Sequence, residues 1–171
     1  MNSNKKKIII IAEIGVNHNG KVSLAKKLIK EAKNAGTDFV KFQIYQPNEI
    51  TTWFNQKTNY QKKFGNKNET QLSMLKKYYL SENQIKELKI YCNLIKVKFL
   101  ASVFDLKSLK IYKSLNPKLI KVPSGEITNK PLLEKISKLR INTILSTGMS
   151  SKKEVRSAYN ILKKSKKNVI P

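Results

Sequence analysis

Polar side chains lie at or near the ends of five short apolar segments, where a buried strand would otherwise be uniformly apolar. The chemically useful ones are Glu13, Lys41, Gln43, Ser102, Lys121, Ser124, Glu126 and Ser146. A buried ammonium group is costly without an anion beside it, so Lys41 and Lys121 require glutamates or an anionic ligand as neighbours. Hydroxyl groups, and backbone N–H groups beside the flexible residues Gly125 and Gly148, are suitable hydrogen-bond donors to phosphate oxygens. These residue types indicate a pocket for an anionic, phosphorylated small molecule.

The elements expected to position these residues alternate between strand and helix. Predicted strands cover residues 8–12, 39–45, 99–103, 119–122 and 142–146, and a sixth begins at residues 168–170. Predicted helices cover residues 22–35, 81–94, 106–115, 131–139 and 151–164. Gly36 is the expected stop of the first helix, and capping boxes at Ser81 and Ser151 begin two others. This alternation implies a parallel sheet.

Two parallel α/β architectures fit this alternation, a (β/α)8 TIM barrel and a doubly wound, flavodoxin-like sheet. Five βα units followed by the start of a sixth strand favour the barrel, of which residues 1–171 would be the first part. In a barrel, the carboxyl ends of all strands meet at one mouth, where active sites are built. The polar residues at these strand ends are therefore predicted to share one pocket.

A long polar connection, residues 46–80, separates the second predicted strand from the helix after it. A helical turn is predicted within it at residues 71–78. Connections of this length in compact domains are usually functional. Trp53 and the tyrosines that follow it fit either a lid over the pocket or ordinary packing.

The formal net charge of +24 raises the question of nucleic-acid binding. Arg140 and Arg156 are the only arginines, whereas recognition of phosphates and bases favours arginine. The lysines are scattered along the whole chain, which favours a solvated surface over a binding stripe. No nucleic-acid partner is therefore expected.

The apolar runs and the few cysteines and histidines argue against two further classes of protein, membrane-spanning proteins and proteins with a cysteine- or histidine-rich metal centre. The longest apolar run, residues 8–12, is far shorter than the roughly 20 residues of a membrane-spanning helix. Cys92 is the only cysteine, so neither an internal disulfide nor a cysteine metal cluster is possible, and core packing is its expected role. His18 is the only histidine, and a structural or site-shaping role is expected for it. A cytoplasmic protein without membrane contact is predicted.

Four segments have the character of family motifs and span nearly the whole chain. They are residues 11–20 (IAEIGVNHNG), 38–43 (DFVKFQ), 121–126 (KVPSGE) and 144–149 (ILSTGM). In order and spacing they resemble the N-terminal barrel portion of the sialic-acid synthase family, which includes N-acetylneuraminate and N,N'-diacetyllegionaminate synthases. The opening from Glu13 to Val16 is more similar to sialic and legionaminic acid synthases than to pseudaminic ones.

The resemblance implies a (β/α)8 barrel followed by a small antifreeze-like domain, in a homodimer. It implies condensation of phosphoenolpyruvate with N-acetylmannosamine or a related acetamido sugar, with release of phosphate and assistance from a divalent metal, Mn²⁺ or Mg²⁺. The residues that would hold phosphoenolpyruvate are Lys41, Ser102, Lys121, Ser124 and Ser146. Gln43 would lie near the sugar, and the catalytic candidates are Glu13, also near the sugar, and Glu126, near the reacting carbons.

In this family the metal-ligand histidines lie in later barrel strands. The resemblance therefore implies that the metal ligands and the antifreeze-like domain lie beyond residue 171, and that the chain by itself is inactive. Two alternatives stay open: another phosphoenolpyruvate-dependent sugar-acid synthase or aldolase barrel, and a non-catalytic fragment.

Overall fold

Six strands form one parallel sheet in the computed structural model, which describes residues 8–52, 55 and 69–171. The strands are β1 (Ile11–Gly15), β2 (Phe39–Ile44), β3 (Lys98–Val103), β4 (Leu119–Val122), β5 (Asn142–Leu145) and β6 (Val169–Ile170). Each strand pairs in parallel with the next one along the chain, so the order in the sheet is β1-β2-β3-β4-β5-β6.

This strand order decides between the two architectures that fit the sequence. A flavodoxin-like sheet reverses its direction of winding and has the strand order 2-1-3-4-5. A barrel instead adds each strand beside the previous one. The observed order is sequential throughout the described strands, so the barrel-type prediction is confirmed and the doubly wound alternative is wrong.

Helices follow the strands as the sequence predicts. They are α1 (Val22–Asn34), α2 (Pro47–Ile50), α3 (Gln71–Tyr78), α4 (Glu82–Leu94), α5 (Leu106–Ser114), α6 (Lys130–Lys138) and α7 (Lys152–Lys163). A short 3₁₀ turn, Ser124–Glu126, comes soon after β4. Both predicted capping boxes form, at Ser81 before α4 and at Ser151 before α7. None of the helices in the described ranges has the length and apolarity to cross a membrane.

The core lies between these helices and one face of the sheet. Val40, Phe42 and Ile44 of β2 are at most 1% exposed, and they belong to the same buried cluster as Ile29 of α1 and Leu88 of α4. The residues that alternate with them along β2 are only half-buried, and β4 shows the same alternation. Successive side chains of a strand point to opposite faces, so the helices cover one face and the half-buried residues share the other.

The first strand begins later than the sequence predicts. Residues 8–12 were expected to form it, whereas β1 starts at Ile11, which pairs with Phe39, the first residue of β2. Ile8, Ile9 and Ile10 are 82%, 58% and 54% exposed. The reason is that the apolar residues begin at Ile8, whereas the partner strand β2 begins only at Phe39, the residue that pairs with Ile11. As a result, Glu13 lies inside the strand and in register with β2.

The connection from residue 46 to residue 80 is anchored to the end of β2 through α3. The Tyr45 hydroxyl donates to the Leu75 carbonyl oxygen at 3.0 Å, and the Thr51 hydroxyl donates to Gln71 Oε1 at 2.8 Å. The helical turn predicted at residues 71–78 is confirmed as α3. Trp53 and residues 56–68 lie outside the described residues, and so does the expected lid or packing role of Trp53.

Replacing Gly20 with alanine is expected to lower the free energy of unfolding by about 2–4 kcal/mol, combining backbone strain with overpacking. Gly20 has a φ of +72°, and a Cβ there would lie 2.4 Å from the Lys77 carbonyl oxygen in α3. Gly36→Ala is the matched control, because Gly36 has a φ of +85° but nothing within 4 Å of the added Cβ. The control is expected to lose only about 1 kcal/mol in urea denaturation. Equal losses in the two variants would show that α3 moves aside to accept the new methyl group.

Candidate active site

The strand register places five predicted site residues on the half-buried face of the sheet. Gln43 of β2 is paired with Ser102 of β3, and Ser102 is paired with Lys121 of β4. Glu13 of β1 is paired with Lys41 of β2. Residues at paired positions of neighbouring parallel strands point to the same face. These side chains therefore form two adjacent rows toward the carboxyl ends of four strands, and we call these five residues the anion cluster.

Lys41 is the centre of the contacts within the anion cluster. Its ammonium group forms a salt bridge with Glu13 and donates a hydrogen bond to Ser102 Oγ at 3.2 Å. The Lys41 side chain is 12% exposed and that of Glu13 is 51% exposed. Glu13 therefore neutralises a largely buried lysine while its carboxylate remains accessible to a ligand.

Lys121 supplies a second ammonium group to the same face. Burial has the largest effect and lowers the pKa of Lys121, the positive charge of Lys41 lowers it further, and Glu13 raises it. The cluster thus contains two lysines and one glutamate. An anion placed between the lysines would reduce their mutual repulsion and compensate for their lost hydration. A ligand with phosphate or carboxylate groups fits this electrostatic environment.

Gly15 lies close to the side chains of both Glu13 and Gln43, a role that the sequence did not reveal. The pairing of β1 with β2 is irregular between Glu13 and Gly15, and Gly15 has a φ of +51°. A Cβ on Gly15 would lie 3.1 Å from Glu13 Oε1 and 3.7 Å from Gln43 Nε2. A side chain here would crowd the carboxylate and the amide, so glycine leaves space for both groups at the carboxyl end of β1.

The predicted serines after β4 and β5 lie at adjacent strand ends. The backbone N–H of Ser146 donates to the Val122 carbonyl oxygen at 3.1 Å, which continues the pairing of the two strands. Gly148 comes so close to Ser124 that an added Cβ would lie 2.8 Å from Ser124 Oγ. Ser124 and Ser146 are both half-buried. The ends of β4 and β5 therefore bring together hydroxyl groups and a glycine backbone, which are suitable for anion oxygens.

Glu126 ends the 3₁₀ turn after β4, and among the described residues its carboxylate is hydrogen-bonded to Asn129 and not to a lysine of the anion cluster. Asn129 Nδ2 donates to Glu126 Oε2 at 2.7 Å. Asn129 also caps α6, because its Oδ1 accepts from the Leu132 backbone N–H at 3.2 Å. Asn129 is not among the site residues predicted from the sequence. Its position immediately before Lys130 and Pro131 at the start of a predicted helix was the available signal, since Asn is a preferred N-cap.

His18 lies in the kind of structural environment predicted for it from the sequence. It is 1% exposed, its ring stacks on Phe42 with centroids 5.9 Å apart, and its Nδ1 accepts from the Gly20 backbone N–H at 3.0 Å. Burial lowers the pKa of His18, and a hydrogen bond with the Gly15 backbone raises it. His18 therefore shapes the turn after β1. Within the described part of the chain, no group of three or more His, Cys, Asp or Glu side chains is arranged to hold a metal ion.

Sequential parallel strands with a lysine-lined site at their carboxyl ends define the class of the protein as a barrel-type α/β fold. The chain belongs to the NeuB family, whose model matches residues 28–170. Both findings agree with the resemblance predicted from the four sequence segments.

Curated relatives and a solved structure extend this result. The chain is 45% identical to the N,N'-diacetyllegionaminic acid synthase of Campylobacter jejuni, over 92% of this chain and 47% of the relative. It is 41% identical to the N,N'-diacetyllegionaminic acid synthase of Legionella pneumophila, over 90% of this chain and 43% of the relative. The crystal structure of an N-acetylneuraminic acid (sialic acid) synthetase from Leptospira borgpetersenii, in complex with citrate, has a TM-score of 0.80 and 30% identity. That alignment covers 95% of this chain and 52% of the other. The chain thus spans about half the length of the proteins it matches.

Proposed function

We propose that the protein containing this chain condenses phosphoenolpyruvate with N-acetylmannosamine or a related acetamido sugar and releases phosphate. The observation that carries this proposal is the anion cluster, in which Lys41 and Lys121 lie on one face with Glu13 and Ser102. Phosphoenolpyruvate has a phosphate and a carboxylate, and therefore presents one anionic group to each ammonium group. The names of the relatives, which are legionaminic and sialic acid synthases, support this class of substrates.

Each predicted residue has a role in this proposal. The phosphoenolpyruvate ligands are Lys41, Ser102, Lys121, Ser124 and Ser146. Glu13 and Gln43 are assigned to the sugar, because Glu13 is half-exposed and both side chains lie close to Gly15 at the end of β1. Glu126 is assigned to the reacting carbons, where a carboxylate positions water or accepts its proton.

The proposed reaction forms one carbon–carbon bond and breaks one carbon–oxygen bond. Carbon 3 of phosphoenolpyruvate attacks the aldehyde carbon of the open-chain sugar, and the aldehyde oxygen takes up a proton to become a hydroxyl. Water then adds to the cation-like carbon 2 and loses a proton. The tetrahedral intermediate releases phosphate with its bridging oxygen and leaves a 2-keto acid. Lysines that hold the departing phosphate stabilise the charge that develops during this last step.

The divalent metal, Mn²⁺ or Mg²⁺, belongs to the same proposal. We assign its ligands to later barrel strands, beyond residue 171, as the resemblance to the family implies. The remaining barrel strands and the antifreeze-like domain are likewise assigned outside residues 1–171, and a homodimer is proposed for the full-length protein. A cytoplasmic location, as predicted from the single cysteine and the short apolar runs, is part of the same proposal.

The test of the proposed function is an assay of the full-length gene product in water enriched in ¹⁸O. With phosphoenolpyruvate, N-acetylmannosamine and manganese, we expect release of phosphate that contains no solvent oxygen, together with a 2-keto sugar acid detected by mass spectrometry. Phosphate labelled with ¹⁸O would indicate cleavage of the phosphorus–oxygen bond by a phosphatase and would contradict the proposal. Phosphate release that is independent of the sugar would also contradict it.

Binding of phosphoenolpyruvate at alkaline pH is expected to be accompanied by proton uptake at Lys121. The pKa of Lys121 is lowered in the free protein, so a fraction of this lysine is neutral at a pH where an ordinary lysine is charged. A bound anion favours the ammonium form, so the affinity should decrease as the pH rises above this lowered pKa. Calorimetry in buffers of different ionisation enthalpies measures the uptake. Lys121→Met should abolish it, whereas Lys118→Met, at an exposed lysine just before the same strand, should not. Binding without proton uptake in the unsubstituted protein would contradict this assignment.

A further inference from the structure

Glu126 and Asn129 form a short hydrogen-bonded unit between β4 and α6. Asn129 Nδ2 donates to Glu126 Oε2 at 2.7 Å, and the Asn129 backbone N–H donates to the Glu126 carbonyl oxygen at 3.0 Å. The carboxylate and the main chain of Glu126 are therefore both bound by the same residue. No hydrogen bond to Glu126 Oε1 is made by the described residues.

Asn129 is itself held in place by the start of α6. Its Oδ1 accepts from the Leu132 backbone N–H, and its carbonyl oxygen accepts from the Leu133 backbone N–H at 3.0 Å. Leu132, Leu133 and Ile136 of α6 are at most 1% exposed, so the first turn of this helix is fixed by the core. The orientation of the Asn129 amide is consequently determined by a helix whose apolar face is anchored in the core, and that amide determines where Glu126 Oε2 lies.

The chemistry of the amide distinguishes the two carboxylate oxygens. An amide nitrogen donates and does not accept, so it engages one of the two lone-pair sites of Oε2. Oε1 accepts from none of the described residues, so it is the oxygen with more capacity to take a proton or to orient water. Hydrogen bonds to charged groups are shorter and stronger than those between neutral groups, which suits a positioning contact.

We propose that Asn129 is the positioning residue for Glu126, and that it directs Oε1 of this carboxylate toward the reacting carbons. This inference rests on the proposed function, because that function assigns Glu126 to those carbons. Asn129 acts only through Glu126 and does not itself touch the substrates.

Two substitutions at residue 129 separate positioning from helix capping. Asn129→Ser keeps a capping oxygen but lacks the amide donor. Asn129→Asp keeps the cap and the size of the side chain but replaces the donor with a second carboxylate. Ser81→Ala, which removes the N-cap of α4, is the control for loss of a cap elsewhere in the fold.

In the full-length protein, Asn129→Ser is expected to lower kcat about ten- to a hundredfold, the loss typical of a hydrogen bond to a charged group. The KM for phosphoenolpyruvate should stay within about twofold, because the residue does not contact this substrate. Asn129→Asp should lower kcat further and move the acid limb of the pH–kcat profile to higher pH, since adjacent carboxylates retain a proton more strongly. Ser81→Ala should keep the unsubstituted kcat and pH profile. An Asn129→Ser enzyme with normal kcat, or an unmoved profile in Asn129→Asp, would overturn the proposal.

Carbon-13 NMR of the glutamate carboxyl groups keeps this test separate from that of the proposed function. The Glu126 signal, assigned by its loss in Glu126→Gln, should shift in both residue-129 variants and remain unchanged in Ser81→Ala. If the unsubstituted protein turns over normally but the Glu126 signal does not move in the residue-129 variants, only the role of Asn129 is refuted. Absence of turnover in the unsubstituted protein would refute the proposed function, and with it the assignment of Glu126 to a reacting centre.

Discussion

Replacing Lys41 with methionine in the full-length protein is expected to lower kcat/KM for phosphoenolpyruvate about a hundred- to a thousandfold. Loss of a hydrogen-bonded charge contact accounts for about 1.5–3 kcal/mol of this effect. The remainder arises because Glu13, which forms a salt bridge with Lys41, would face the incoming anion without its counter-charge. Methionine preserves the apolar stem of the lysine, so packing should change little. Steady-state kinetics with varied phosphoenolpyruvate measure the effect.

A lysine in an exposed ion pair provides the matched control for this experiment. Lys107 forms a salt bridge with Glu49 at 2.6 Å, its side chain is 70% exposed, and neither residue belongs to the strands that carry the anion cluster. Lys107→Met should therefore leave kcat/KM within about twofold, since exposed pairs contribute little. A similar loss in both variants would indicate a general effect of lysine removal. An unchanged kcat/KM in Lys41→Met would remove Lys41 from the site.

Lys41→Met should also change the titration of its neighbour. The positive charge of Lys41 is the second largest cause of the lowered pKa of Lys121, after burial. Removing that charge should therefore raise the pKa of Lys121 toward its ordinary value. The alkaline decrease in phosphoenolpyruvate affinity should accordingly move to higher pH in this variant.

Replacing Glu126 with glutamine is expected to lower kcat about a hundred- to ten-thousandfold, the range typical of a lost general acid or base. Glutamine has the shape of glutamate and can still accept from Asn129, but it cannot take the proton of the attacking water. The KM for phosphoenolpyruvate should stay within about threefold, because the interaction concerns the transition state rather than substrate binding. A change in KM alone would contradict the role assigned to Glu126.

The control for Glu126→Gln is a glutamate in the helix that follows. Glu134 of α6 is 52% exposed and lies 3.9 Å from Lys130 in an (i, i+4) pair. Glu134→Gln removes the same charge from the same part of the chain without touching the proposed site. It should leave kcat unchanged, so an equal loss in both variants would point to a non-specific charge effect.

Most of the fold was predictable because its signals are local. Strand β4 occurs where it was predicted, and the capping boxes at Ser81 and Ser151 mark the starts of their helices. A cap depends on side-chain groups within three residues of one another, so it can be recognised without knowledge of the tertiary structure. The start of β1 could not be predicted in this way, because the pairing partner at Phe39 determines where the strand begins.

The sequence by itself determined the residue types of the candidate site, the alternation of strands and helices, and the family. Only the tertiary structure decided which polar residues share a face. The register of Gln43 with Ser102 and of Ser102 with Lys121 depends on hydrogen bonds between strands that are distant along the chain. The same holds for the contact of Lys41 with Glu13 and for the lowered pKa of Lys121, because distances between charges and their burial exist only after the strands have paired.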